Sequence, residues 1–195
     1  MQPQILLTPM LLAWSAATAF SQLGAGPPIA DEPPGGSKPA VAVLSPLTKT
    51  SVNFAGKKIS VEYCAPSMRK RVIFGGLEPY NKVWRAGAND ATLLTTGVDL
   101  DLNGLKLPKG KYSLFVWLDR TQWQLIVNKE TGMSGLQYHQ NMDFGRVPMT
   151  MSKPPKPIEK FRITLSKASK TSNVGRIELA WENTIASVDF QVQPQ

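Results

Sequence analysis

Residues 98–118, VDLDLNGLKLPKGKYSLFVWL, decide the fold class. Val98, Leu100 and Leu102 alternate with Asp99 and Asp101, the period of a strand with one buried face. Asn103-Gly104 follows. This pair is the strongest short hairpin signal, because a type I′ turn needs positive φ at both central positions. Leu105 and Leu107 begin the return strand, and Pro108-Lys109-Gly110 makes a second turn. Tyr112 to Leu118 is then apolar on both phases, which predicts a strand covered on both sides or lying on the inner wall of a sandwich.

The same period extends outward in both directions. Val52 and Phe54, then Ile59, Val61 and Tyr63, alternate across Ala55-Gly56-Lys57 and predict a hairpin. Asp119-Arg120-Thr121 turns the chain into Trp123, Leu125 and Val127. Further on, Phe161, Ile163 and Leu165 alternate, as do Ile177, Leu179 and Trp181, and then Val188, Phe190 and Val192. No long amphipathic helix is predicted after residue 40. The whole reads as all-β: an antiparallel β-sandwich of about nine strands with one long irregular crossover loop. Its core is predicted from Phe54, Ile59, Val61, Tyr63, Leu100, Leu114, Val116, Leu125, Val127, Ile163, Leu165, Leu179, Trp181 and Phe190.

The first forty residues differ in kind. Ile5 to Phe20 is mostly apolar, too short for a lasting membrane span and interrupted by Pro9. Ala19-Phe20-Ser21 fits a small-x-small cleavage site, so residues 1–21 are expected to be a secretory signal peptide. Residues 22–40, QLGAGPPIADEPPGGSKPA, hold too few large apolar groups for a core and read as a flexible Pro/Gly-rich tether. Residues 41–195 are then a single β-sandwich domain, exported to the periplasm or beyond the cell, with no transmembrane segment after signal removal.

Composition removes several chemistries. Cys64 is the only cysteine and His139 the only histidine of the 195 residues, so no internal disulfide or Cys/His zinc cluster is available. No cofactor or metal is expected. The formal charge is +8, which suits anionic envelope polymers, but the lysines are scattered over the chain as on a solvated surface. Basic residues lack aromatic interleaving, so nucleic acid is not expected as a partner. Asp99 and Asp101 could hold a cation or simply charge a strand.

Residues 75–90, GGLEPYNKVWRAGAND, resist both periods. Glu78-Pro79-Tyr80 is expected to start a short helical turn, with Pro at the first helical position, and Gly87 to end it. Two accounts of this loop compete. In the structural one, Trp84 packs onto the sandwich and Arg85 pairs with Glu62, Glu78 or Asp90; this is the preferred account. In the functional one, Tyr80, Trp84, Arg85, Asn89 and Asp90 form a ligand-binding surface, with Arg85 offering a planar fork of donors to a carboxylate or phosphate.

The motifs Pro66-Ser67, Ile73-Phe74-Gly75, Pro79-Tyr80, Val83-Trp84-Arg85, Gly87-Ala88-Asn89 and Leu107-Pro108-x-Gly110-x-Tyr112-Ser113-Leu114 resemble a bacterial secreted family catalogued as domain of unknown function 2911. The resemblance spans about residues 44–192 and implies an all-β fold. It carries no established activity. Two departures from the family pattern stand out: Cys64 replaces a small polar residue, and residues 132–144 lack a Trp-Gly pair. Two functions are therefore carried forward. The first is a non-catalytic extracytoplasmic module binding an envelope polymer, a small ligand or a protein partner. The alternative is an extracytoplasmic hydrolase with its site on the 75–90 loop.

Overall fold

The computed structural model describes residues 44–194, and the expected signal peptide and tether lie outside them. Thirteen strands follow in order: β1 Leu47–Phe54, β2 Lys57–Cys64, β3 Lys82–Trp84, β4 Ala88–Thr96, β5 Leu100–Leu102, β6 Leu105–Leu107, β7 Gly110–Leu118, β8 Gln124–Asn128, β9 Asp143–Pro148, β10 Thr150–Ser152, β11 Ile158–Lys167, β12 Val174–Glu182 and β13 Thr184–Val192. They form two antiparallel sheets. The first runs β1-β2-β4-β7-β8-β9 with β3 also on β7; the second runs β11-β12-β13-β5-β6 with β10 also on β13. The antiparallel sandwich is therefore confirmed, with more strands than the periodicity indicates.

The turns form for the predicted reasons. Ala55 and Gly56, and again Asn103 and Gly104, take positive φ at both central positions. Two-residue loops of this kind match the twist of the flanking strands. Pro108-Lys109 is a corner rather than a hairpin, since β6 lies in one sheet and β7 in the other. Every residue of the predicted core is buried in one apolar cluster between the sheets.

Residues 65–87 leave the first sheet, cross one end of the sandwich and return. Phe161 N–H donates to Pro66 O and Met68 N–H to Glu159 O, each at 2.8 Å, which covers part of the exposed edge of β11. The Tyr63 hydroxyl accepts from Ile163 N–H at 2.9 Å further along that edge. Ile73 and Phe74 then plug the end of the core, their amides donating to the buried carboxylate of Glu182 at 2.9 and 3.3 Å. No helix forms at Glu78-Pro79-Tyr80; the chain turns there and enters β3 instead. The reason is the free flank of β7 beyond β4. Trp84 pairs with Val116 where β4 stops at Leu114, so β3 continues the ladder and satisfies backbone groups that a helical turn would leave unpaired.

Candidate functional site

β3 and β4 share one flank of β7, and the jog between them holds Arg85, Ala86 and Gly87. Alternation along β3 settles where each side chain goes. Trp84 faces inward and is 2% exposed, its indole N–H donating to Gly87 O at 3.3 Å. It packs among Phe74, Trp123, Phe161 and Trp181, with ring centroids 5.0 to 6.4 Å away. Val83 faces outward onto a second, smaller apolar cluster of Phe115, Ile126 and Met133, flanked by Trp117 and Tyr138. This cluster is what makes β7 apolar on both faces.

The loop between β8 and β9 covers that outer cluster. Asn128, fully buried, staples the loop at both ends. Its amide donates to His139 O and Asp143 Oδ1 at 3.0 Å each, and its Oδ1 accepts from Glu130 N–H at 2.9 Å. Gly135 N–H donates to Asn89 O at 3.0 Å, so the loop is also fastened to the start of β4. Gly135 is required there. A Cβ at this position would stand 2.6 Å from Asn89 O and run into the side chain of Arg85.

Beneath this loop lies a cleft of about 180 Å³, lined by Glu78, Val83, Arg85, Phe115, Leu136 and Tyr138 among others. Arg85 is the unusual group in it. Its Nε is buried without a hydrogen-bond partner. No carboxylate lies within 4.0 Å of its guanidinium among the described residues, so the expected pairing with Glu62, Glu78 or Asp90 does not form. The physical reason is that other partners or other directions take those acids. Glu62 is bound by Lys49 across the β1–β2 hairpin, and Asp90 lines a neighbouring groove with Leu47, Cys64 and Met133. Glu78 shares the cleft with Arg85, beyond ion-pair distance, and its carboxylate accepts no hydrogen bond among the described residues. Burial pushes the Glu78 carboxyl above the usual range, and the nearby Arg85 charge offsets only part of that.

Tyr138 also lines the cleft. Its ring packs edge-on against Phe115 at 5.0 Å. Its hydroxyl donates to Asp143 Oδ2 at 2.7 Å and accepts from Arg146 Nη2 at 2.8 Å, while Arg146 also binds Asp143. Burial, and then the hydrogen bond to the Asp143 carboxylate, push its pKa up to about 12. The phenol therefore stays protonated at neutral pH and serves as a fixed donor, not a base.

The five residues singled out from the sequence do not share one cavity. Trp84 belongs to the core and also lines the cleft. Tyr80 sits against Gly75 with the Arg120 guanidinium over its ring at 4.8 Å. Asn89 serves through its backbone, and Asp90 faces the neighbouring groove. Arg85 alone points into the cleft with its charge uncommitted. Sequence reasoning did not place Tyr138 or Gly135 here, although the doubly apolar run 112–118 signalled that something must cover the outer face of β7. Asp99 and Asp101 are turn caps, accepting from Lys109 N–H at 2.7 Å and Gly104 N–H at 2.6 Å respectively. A larger cleft of about 410 Å³ beside β13 holds Asp101 and Asp189, but Lys106 and Arg176 already pair with them.

The fold and this cleft define a β-sandwich protein whose outer face carries a small, polar-rimmed cavity under a stapled loop. The chain belongs to the family described as Protein of unknown function (DUF2911), whose model matches residues 45–190. No curated protein and no solved structure matches it. No helix among the described residues is long and apolar enough to cross a membrane.

Proposed function

We propose that this protein is a non-catalytic extracytoplasmic binding module, and that the cleft under residues 132–138 holds an anionic group of a small ligand or of an envelope polymer. One observation carries the reading: the Arg85 guanidinium, with its Nε sealed from solvent, has no partner. The guanidinium charge thus stands in the cleft with no counter-ion, and a carboxylate or phosphate bound on its terminal nitrogens would supply one. The loop and cleft are built as binding sites usually are, on a rigid sheet. The apolar run at residues 5–20, ending in Ala19-Phe20-Ser21, supports work outside the cytoplasm. The net charge of +8 supports an anionic partner.

The hydrolase reading has one observation in its favour, the raised pKa of Glu78 in the same cleft. Against it stands Tyr138, whose proton is held too tightly to supply a base. The test is thermal shift with acetate and with inorganic phosphate on the wild type and on Arg85→Met, which keeps the apolar stem and removes the charge. The wild type should be stabilised by at least one of the anions through mass action. Arg85→Met should remain folded and show no shift. A wild type that responds to neither anion, or a variant that responds equally, would refute the site.

A further inference from the structure

We infer that the ligand is a small zwitterion with an apolar body, its anionic group on Arg85 and its ammonium on Glu78. This rests on the anion-binding reading and narrows it. Arg85 and Glu78 line one cleft, yet neither has an ionic partner and they stand too far apart to pair with each other. A ligand carrying only an anion would satisfy Arg85 and at the same time face the Glu78 carboxylate, a like charge in a partly dehydrated space. A ligand carrying only a cation would meet the converse problem at Arg85. A molecule bearing both charges neutralises both groups and leaves none unpaired, the condition under which buried charge is tolerated.

Size and lining restrict the class further. The cleft, at about 180 Å³, is smaller than the roughly 300 to 1,000 Å³ of sites for drug-sized ligands, so it takes a single small molecule and not a length of polymer. Besides the two charged groups its lining includes Val83, Phe115, Leu136 and Tyr138. Leu136 is 82% exposed, and a bound apolar side chain would cover part of it. The Arg85 Nε is sealed, so the anion is met end-on by the two terminal nitrogens, a fork whose spacing suits a carboxylate. A free α-amino acid with a branched aliphatic side chain fits all of this. The same pairing of ammonium and anion occurs in a phosphoethanolamine headgroup, which lacks the apolar body.

The experiment compares L-leucine with its two halves on the full chain by isothermal titration calorimetry. One half is 4-methylpentanoate, which lacks the ammonium; the other is 3-methylbutylamine, which lacks the carboxylate. O-phosphoethanolamine is the fourth probe. Leucine should bind at least tenfold tighter than either half and tighter than phosphoethanolamine. Glu78→Gln should bring leucine down to the affinity of 4-methylpentanoate while leaving that affinity unchanged or improved, and Arg85→Met should abolish binding of both. Circular dichroism of each variant confirms that it is folded. If 4-methylpentanoate binds as tightly as leucine, the zwitterion is refuted and the anion site stands. If phosphoethanolamine binds tighter than leucine, the apolar body is refuted. If no probe binds the wild type but inorganic phosphate does, the ligand class is wrong. If neither these probes nor simple anions bind, both inferences fall together.

Discussion

Arg85 and Glu78 are held in a state that costs stability, and that cost is measurable without any ligand. Burial raises the folded-state pKa of Glu78 above the ordinary glutamate value of about 4.3. Between those two values the folded protein binds more protons than the unfolded chain. Stability therefore falls as pH rises through that window, and the loss is complete above the folded pKa. Glu78→Gln removes the ionisation. Its melting temperature should lie above the wild type's at pH 7, and the gap should close as pH is lowered below about 4. Thermal melts across pH 3 to 8 measure this. A glutamine variant less stable than wild type at pH 7 would mean that Glu78 has a favourable native partner. Arg85→Met should cost little at pH 7, because no ion pair within 4.0 Å is lost with it and only its more distant attraction for Glu78 goes.

At the scale of elements, the β8–β9 loop is what turns an ordinary sheet face into a cleft, and Gly135 is the residue that lets it lie flat. Gly135→Ala would put a methyl group against the backbone oxygen of Asn89, so the loop must lift or the start of β4 must move. Overpacking of this kind costs about 1 to 3 kcal/mol, and here it should also weaken anion binding. Gly132 in the same loop has open space around its Cβ position but a φ of +77°. Gly132→Ala should cost about 1 kcal/mol through backbone strain alone and leave affinity intact. Urea denaturation with parallel titration separates the two. Legibility follows the same physics. Long strands such as β7 and β11 announced themselves because one or both faces are buried along their length, and Asn103-Gly104 fixed its hairpin because few other pairs accept two positive φ values. β3 and β10, three residues each, lack the Asn-Gly turn that made the equally short β5 and β6 readable, and β9 carries Gly145 and Pro148. Arg85 was readable as a candidate, but its lack of a partner was not. That depends on where Glu62, Glu78 and Asp90 end up, which long-range pairing decides.

Across the whole molecule, the segment 65–87 is part of the core and not an appendage to it. Phe74 meets Trp84, Trp123 and Trp181 at centroid distances of 4.6 to 6.0 Å, so one ring from the crossing loop touches side chains from both sheets. Glu182, at the end of β12, holds the amides of Ile73 and Phe74. Glu182→Ala would orphan two buried N–H groups, each costing about 1 to 3 kcal/mol. Leu125→Ala, at a fully buried position in β8, should cost about 2 to 5 kcal/mol through its cavity. The two sites are far apart in the chain and differ in mechanism, yet if the loop is continuous with the core both should move the same transition. Urea unfolding followed by tryptophan fluorescence, which reports the aromatic cluster, and by far-UV circular dichroism, which reports the sheets, should give coincident curves for the wild type and for both variants. A fluorescence transition that precedes the loss of sheet in Glu182→Ala would show that the loop unfolds by itself. The cleft that β3 and the loop help to build would then sit on a separately melting unit, and its affinity would fall with that unit's stability and not with the fold's.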